Sequence, residues 1–317
     1  MTHHRLPARP DTVQWGYWDA ASQPVLRVAS GDTVALDSLS GEPDDLHDAS
    51  RLLPEHRDVL AGTPRGPGPH LLTGPVWVEG AAPGDVLQVD ILEISLRQDW
   101  GWNLILPLHG TLPADFPVAR RLHIDLDRQA GVATLPWGSR VPLAPFFGNF
   151  GVAPPPHYGR ITSTIPREHG GNMDNKALVQ GTTVYFPVFN PGALFSAGDG
   201  HAAQGDGEVC LTAIETSLSG VFRLTVRKDL SLDFPRAESP THLISMGMDE
   251  DLDDAARQAL RNMIAWLVEG WGLLPVDAYS LCSIAADLRV TQMVDVNKGV
   301  HVMLPKSVLP ASPAVPD

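Results

Sequence analysis

Apolar and polar residues alternate with a period of two along much of this chain. Val86-Leu87-Gln88-Val89-Asp90-Ile91-Leu92 is the clearest case, and such alternation marks a strand with one buried face. The same pattern, punctuated by Gly, Pro and Asp, predicts strands over residues 24–28, 33–36, 76–78, 131–135, 182–188, 209–215, 220–226 and 299–304. A Gly-Asp turn precedes two of these strands, at Gly31-Asp32 and Gly84-Asp85, an echo too faint to be a repeat. The period lengthens late in the chain. Leu252, Ala255, Ala256, Ala259, Leu260, Met263, Ile264, Leu267 and Val268 recur at helical spacing behind the acidic opening Asp249-Glu250-Asp251, and Gly270 and Gly272 mark the end. A shorter helix is predicted over residues 275–286. Residues 41–69 show little periodicity and read as irregular, with one helical turn near Ala49 to Leu53. Strands first and helices late predict the α+β class: a β-rich core of many short strands, packed as sandwich or barrel-like sheets, with helices concentrated in the C-terminal third. Residues 1–309 read as one large domain, any subdomain boundary falling near 150–165, and residues 310–317 as a flexible tail.

Composition narrows the function. The 317 residues are 43% hydrophobic and 19% charged, ordinary for a globular protein, but the net charge of −14 opposes binding to nucleic acid or an anionic membrane. No apolar run reaches the ~18 residues of a spanning helix, and residues 1–9 lack the apolar core of a signal peptide. The two cysteines, Cys210 and Cys282, both read as buried thiols in apolar surroundings, Cys210 within a strand. Two cysteines set up no disulfide framework, so a reducing cytoplasm is the expected location. No Gly-x-Gly-x-x-Gly lies between a predicted strand and helix, and no phosphate loop ends in Gly-Lys-Ser/Thr, which turns the reading away from nicotinamide and ATP chemistry.

Two polar clusters carry candidate chemistry. Asp199-Gly200-His201-Ala202-Ala203-Gln204-Gly205-Asp206-Gly207-Glu208 concentrates imidazole, carboxylates and glycines ahead of the apolar 209–215 run. It reads as a loop, either a solvated turn or a place where ligands for a borderline divalent ion converge. His169-Gly170-Gly171-Asn172-Met173-Asp174 reads the same way, as a solvated loop or a second contributor. Because the intervening strand makes the flanking strands neighbours, both loops are expected at one end of one sheet.

These segments resemble the acetamidase/formamidase family of metal-associated amide hydrolases. The resemblance lies in Gly170-Gly171-Asn172-Met173-Asp174 and in the stretch from Gly198 to Cys210. It extends to Thr73-Gly74-Pro75-Val76-Trp77-Val78, Pro83-Gly84-Asp85, Pro145-Phe146-Phe147-Gly148-Asn149-Phe150 and Tyr279-Ser280-Leu281-Cys282-Ser283. It implies hydrolysis of a small amide to a carboxylate and ammonia, with cyclic amides such as γ-lactams as a related activity. It also implies a homo-oligomer. Asp174, Asp199 and His201 are expected as ligands of a divalent ion, zinc first and calcium as a structural alternative. Glu208 is expected to move protons, with Asp206 and Glu215 in reserve, and Asn172 and Phe147 to face the substrate. Such an ion lowers the pKa of water from 15.7 to about 7, and a carboxylate carries the proton to the leaving nitrogen. Other readings stay open: a Cys210 nucleophile, a serine at 163 or 196, or a non-enzymatic protein that holds an ion structurally. Trp100 and Trp102 read as core or subunit contacts rather than pocket lining, and His109 and His157 as peripheral histidines.

Overall fold

The alternating segments assemble into two large open sheets in the computed structural model, which describes residues 1–46 and 50–310. The first has nine strands in the order His3–Leu6, Thr33–Asp37, Leu218–Arg227, Val86–Leu96, Thr183–Pro187, Arg236–Glu238, His242–Asp249, Lys298–Pro305 and Asp287–Gln292. Only its first pair is parallel. The second has eleven strands and centres on Phe195–Ala203. Phe146–Gly151 runs along one edge of that strand; Leu71–Val78 and Ile214–Thr216 share the other. Trp100–Ile105 and Arg120–Asp127 extend the sheet beyond Ile214–Thr216.

One apolar core joins the sheets. Phe222 of the nine-stranded sheet meets Phe147 and Phe195 of the other with ring centroids 5.2 and 5.4 Å apart, while Phe150 meets Phe186 at 5.5 Å. Each fully buried side chain of this size contributes about 1.5–3 kcal/mol, so these rings fix how the sheets face each other. The α+β expectation holds: the described residues contain three helices, Pro54–Gly62, Leu252–Trp271 and Pro275–Ala285, two of them in the C-terminal third. None is long and apolar enough to cross a membrane.

Helix Leu252–Trp271 lies on the outer face of the nine-stranded sheet. Asp251 caps it by accepting from the N–H groups of Asp253 and Asp254, and Gly272 ends it in the left-handed region. It approaches the strand His242–Asp249 closely because Gly247 has no side chain. A Cβ there would lie 2.1 Å from the Ala255 carbonyl oxygen.

Several expectations need correcting. Phe195–Ala203 is a strand with all nine residues buried, where a loop was expected. Its glycines serve close packing: a Cβ on Gly198 would come within 2.2 Å of the Leu71 carbonyl oxygen, and one on Gly200 within 2.5 Å of the Leu218 side chain. Residues 209–213 are not strand. One tight turn, Glu208 N–H to Gly205 O, precedes them and a second, Leu211 N–H to Glu208 O, encloses the first three, so that pairing begins only at Ile214. Cys210 is therefore half-buried in a turn, its sulfur receiving Asn103 Nδ2–H at 3.3 Å. Helix Pro54–Gly62 replaces the irregular segment expected there. Of the single helical turn placed at 49–53, Ala49 lies outside the described residues, as do residues 311–317 of the expected tail. The Gly-Asp echo is physical: Asp32 and Asp85 each accept the N–H three residues back, and their turns launch the two strands that flank Leu218–Arg227.

Gly247→Ala is expected to lower the unfolding free energy by about 1–3 kcal/mol through overpacking. Gly205→Ala, which meets nothing within 4 Å, should stay within about 0.5 kcal/mol of the parent. Urea melts of both variants check this; equal midpoints would refute the close-packing account.

Candidate active site

The central strand presents Asp199 and His201 to the same side, two residues apart. Glu215 sits opposite His201 on the neighbouring strand, and its Oε2 is 3.2 Å from His201 Nε2. Asp199 Oδ2 is 3.4 Å and Asp174 Oδ1 3.8 Å from the same nitrogen. Glu208 joins from the turn after the strand, so that Asp174, His201 and Glu208 offer ligand atoms all within 4.8 Å of one another; Asp199, His201 and Glu215 form a second such set. Asp295 arrives from the loop between Asp287–Gln292 and Lys298–Pro305, where Gln292 Oε1 accepts its backbone N–H. All six side chains line one cavity of about 430 Å³, and all are buried.

The backbone is bent to bring them there. Asp174, Asp199 and Glu208 all adopt positive φ, at 43, 56 and 45°, a region that costs a residue with a side chain of order 1–3 kcal/mol. Strain of this kind gathers where a side chain has to be aimed. His201 is aimed by Gln204. The Gln204 amide nitrogen donates to the carbonyls of Asp174 and Thr291, so its oxygen accepts from His201 Nδ1 at 2.9 Å and turns Nε2 to the carboxylates. Phe146 packs edge-on against the imidazole, with centroids 4.9 Å apart.

Burial dominates the electrostatics. It pushes Asp174, Glu208 and Asp295 above the usual carboxylate range, each further raised by a neighbouring carboxylate, and Glu215 up to about 8. Asp199 moves the other way: burial would raise it, but His70 and His201 outweigh burial. Burial would likewise lower His201, yet Glu215 and Asp199 hold it well above an ordinary histidine.

A divalent cation fits these residues. Glu208 Oε2 is buried without a hydrogen-bond partner among the described residues, and Asp174 and Asp295 have only each other's carboxyl group beside their buried oxygens Oδ1 and Oδ2. Beside them a hollow is kept open by Gly148, whose Cβ would lie 2.3 Å from Asp174 Oδ1, 2.8 Å from Asp199 Oδ2 and 2.8 Å from His201 Cε1. Carboxylates with one imidazole are a donor set for zinc and similar ions.

The structure brings Asp174, Asp199, His201, Glu208 and Asn172 together. Asn172 Oδ1 accepts from Asn149 Nδ2, which also donates to Ser163 O, while Trp18 Nε1–H donates to Asn149 Oδ1. The two other expected residues lie elsewhere. Asp206 is exposed and paired with Lys176 at 3.2 Å, because the turn that points Glu208 inward points it outward. Phe147 belongs to the inter-sheet core, as does Phe150. His169, expected in a solvated loop, is fully buried against Trp18, and burial lowers it to about 3. The segments around Asp174 and Asp199 do meet, but by another route than expected. The intervening strand Thr183–Pro187 belongs to the other sheet, and Gly170–Asn172 reaches the site by pairing with Phe146–Gly151.

Sequence reasoning missed His70 and Asp295. His70 stands between Ser163 Oγ, 2.9 Å from Nδ1, and Asp199 Oδ2, 3.7 Å from Nε2. Neither residue lies in a cluster of ligand-type side chains, so only the fold reveals them. Trp102 also lines the cavity, whereas Trp100 is wholly interior.

Gly148→Ala should fill the hollow beside Asp174, Asp199 and His201 and lower bound metal severalfold while the far-ultraviolet circular dichroism stays unchanged. Elemental analysis of both proteins, loaded identically, reads the outcome. Undiminished metal content would separate the hollow from any ion.

Known proteins share this arrangement of strands. An acetamidase from Bacillus halodurans superposes with a TM-score of 0.82 at 31% identity, covering 95% of this chain and 97% of that one. An acetamidase from Yersinia enterocolitica gives 0.85 at 30% identity over 98% and 93%. A formamidase from Methylophilus methylotrophus is 31% identical over 199 residues, 44% of this chain and 47% of that protein, so the match spans about half the length of the curated relative. The profile of the Acetamidase/Formamidase family matches residues 14–160 and 158–310. With nearly its whole length matched by the family's profile and by these structures, this chain belongs to the acetamidase/formamidase family.

Proposed function

We propose that the protein hydrolyses the C–N bond of a linear amide to a carboxylate and ammonia, using a bound divalent ion, with zinc as its identity. The observation that carries this reading is the convergence of Asp174 and Asp199 on His201, with Glu208 beside them, in one cavity on the scaffold of that family. Imidazole among the donors favours zinc over calcium, which prefers an all-oxygen shell. Asp174, Asp199 and His201 would hold the ion. When bound, it supplies positive charge that acidifies water and polarises the amide carbonyl.

The chain's own groups do the rest. Glu208 is the proton carrier: its Oε2 faces the cluster unpartnered, and burial beside Asp174 keeps its proton affinity high. It takes a proton from the attacking water and returns it to the departing nitrogen, so that amide and water leave as carboxylic acid and ammonia. Asn172, its oxygen already engaged by Asn149, has its NH₂ group available to the substrate carbonyl. Burial of these side chains strengthens each of these contacts.

The wider setting follows from composition and surface. A net charge of −14 argues against nucleic acid as a partner. Two unpaired cysteines suit a reducing cytoplasm. Val276, Tyr279 and Ile284 expose one apolar face of helix Pro275–Ala285, which supports a homo-oligomer. Sedimentation velocity at micromolar concentration should show a multiple of the chain mass, and a monomer throughout would remove that part of the reading.

Ammonia release from linear amides is expected to stop after thorough chelation and to return with zinc. Glu208→Gln should cut kcat by about 10²–10⁴ while keeping its zinc, whereas Asp174→Asn and His201→Ala should lose zinc itself. Turnover indifferent to metal removal, with elemental analysis confirming the metal is gone, overturns the mechanism.

A further inference from the structure

The cavity is far larger than the smallest amides need. Formamide has three non-hydrogen atoms and acetamide four, whereas about 430 Å³ equals the liquid volume of roughly 14 waters at ~30 Å³ each. The surplus space has one apolar side, facing polar lining residues that include Glu42, Asp45, His109 and Arg121. Above the acidic base, strand Trp100–Ile105 turns alternate residues to one side, and Trp102, Leu104 and then Leu106 form one wall. Leu39, Leu71 and Leu211 line the cavity as well.

Two details mark this belt as built for a ligand. Leu211 is held at φ 112°, a strained conformation for leucine, in the same turn region that delivers Glu208. Trp102, only 7% exposed, has no hydrogen-bond partner for its Nε1–H among the described residues. A buried indole N–H is usually satisfied; here it stands beside Gly41, another residue of the cavity lining.

We propose that the substrate is a linear amide whose acyl group is apolar and several carbons long, alkyl or aryl, seated against Trp102, Leu104 and Leu106. This rests on the amide-hydrolase reading and specifies its substrate class. The reacting carbonyl lies at the acidic base and the acyl chain extends along the leucine and tryptophan belt. Each methylene that enters the belt adds binding in the transition state, because the same surface leaves water.

The test is ammonia release from formamide, acetamide, propionamide, butyramide, hexanamide and phenylacetamide by the full chain with its bound metal. Burial of one methylene corresponds to about a fourfold gain, so kcat/KM is expected to rise at least about tenfold from acetamide to hexanamide or phenylacetamide. Trp102→Phe and Leu106→Ala, each checked by thermal melting, should shrink the hexanamide-to-acetamide ratio. A series that is flat or falls beyond acetamide overturns this inference and leaves amide hydrolysis standing. No turnover of any of the six by metal-loaded protein overturns both.

Discussion

Five carboxylates crowd around one imidazole in a buried pocket, and much of the surrounding architecture answers to that repulsion. Two like charges 4 Å apart repel by about 4 kcal/mol at an effective dielectric of 20, so Asp174, Asp199, Glu208, Glu215 and Asp295 cannot all be ionised with His201, and His70 beside Asp199, as the nearby counter-charges. The pocket must hold protons or a cation. Upward displacement of four of the five carboxylates by burial is the proton solution. A divalent ion against Asp174, Asp199 and His201 is the alternative, and the hollow beside Gly148 is where the chain leaves room for it. A site of this kind would bind an ion the more tightly because the competing state is costly.

That cost has to be carried by the scaffold. Asp174, Asp199 and Glu208 are held at positive φ, and nothing local favours those conformations for three carboxylates at once. They persist because the strand Phe195–Ala203 is buried along its whole length and paired on both edges, and because Phe147, Phe150 and Phe195 anchor that sheet to the other. The loop bearing Asp295 comes from the nine-stranded sheet and is tied to the Glu208 turn through the Gly207 N–H to Thr291 O and Met293 N–H to Gly207 O bonds. The site therefore draws on both sheets, and the phenylalanine core that fixes their relation also fixes the spacing of the carboxylates.

This explains what was legible in the sequence and what was not. Alternation located Val86–Leu96 and Leu218–Arg227, and helical spacing with an acidic cap located Leu252–Trp271, because in each one buried face imposes a period. Helix Pro54–Gly62 escaped because only His56 and Val59 are buried within it; two positions make no period, although Pro54 and Gly62 were there to mark its ends. Phe195–Ala203 escaped for the opposite reason. Buried on both faces, it has no alternation, and its glycines look like turn residues when they are close-packing residues. The ligand-type residues within the two Gly-rich segments were legible from their clustering and from family resemblance. Asp206 was drawn in by adjacency to Glu208, a poor guide across a turn that reverses side-chain direction. His70 and Asp295 are single residues on distant segments, and their role exists only after folding.

The apolar belt and the acidic base are physically linked. The carboxylates are buried, with leucines and an indole in the same cavity, so charge interactions among them are stronger than at a surface. Burial, with Asp174 beside it, also raises the proton affinity of Glu208, in the direction that the proton-carrier role proposed for it requires. A polar belt of equal size would admit water, weaken these interactions and let Glu208 fall toward an ordinary carboxylate. On the proposed reading, an apolar acyl group seated against Trp102, Leu104 and Leu106 would remove further water from beside the carboxylates, so the walls would shape the chemistry as well as the fit.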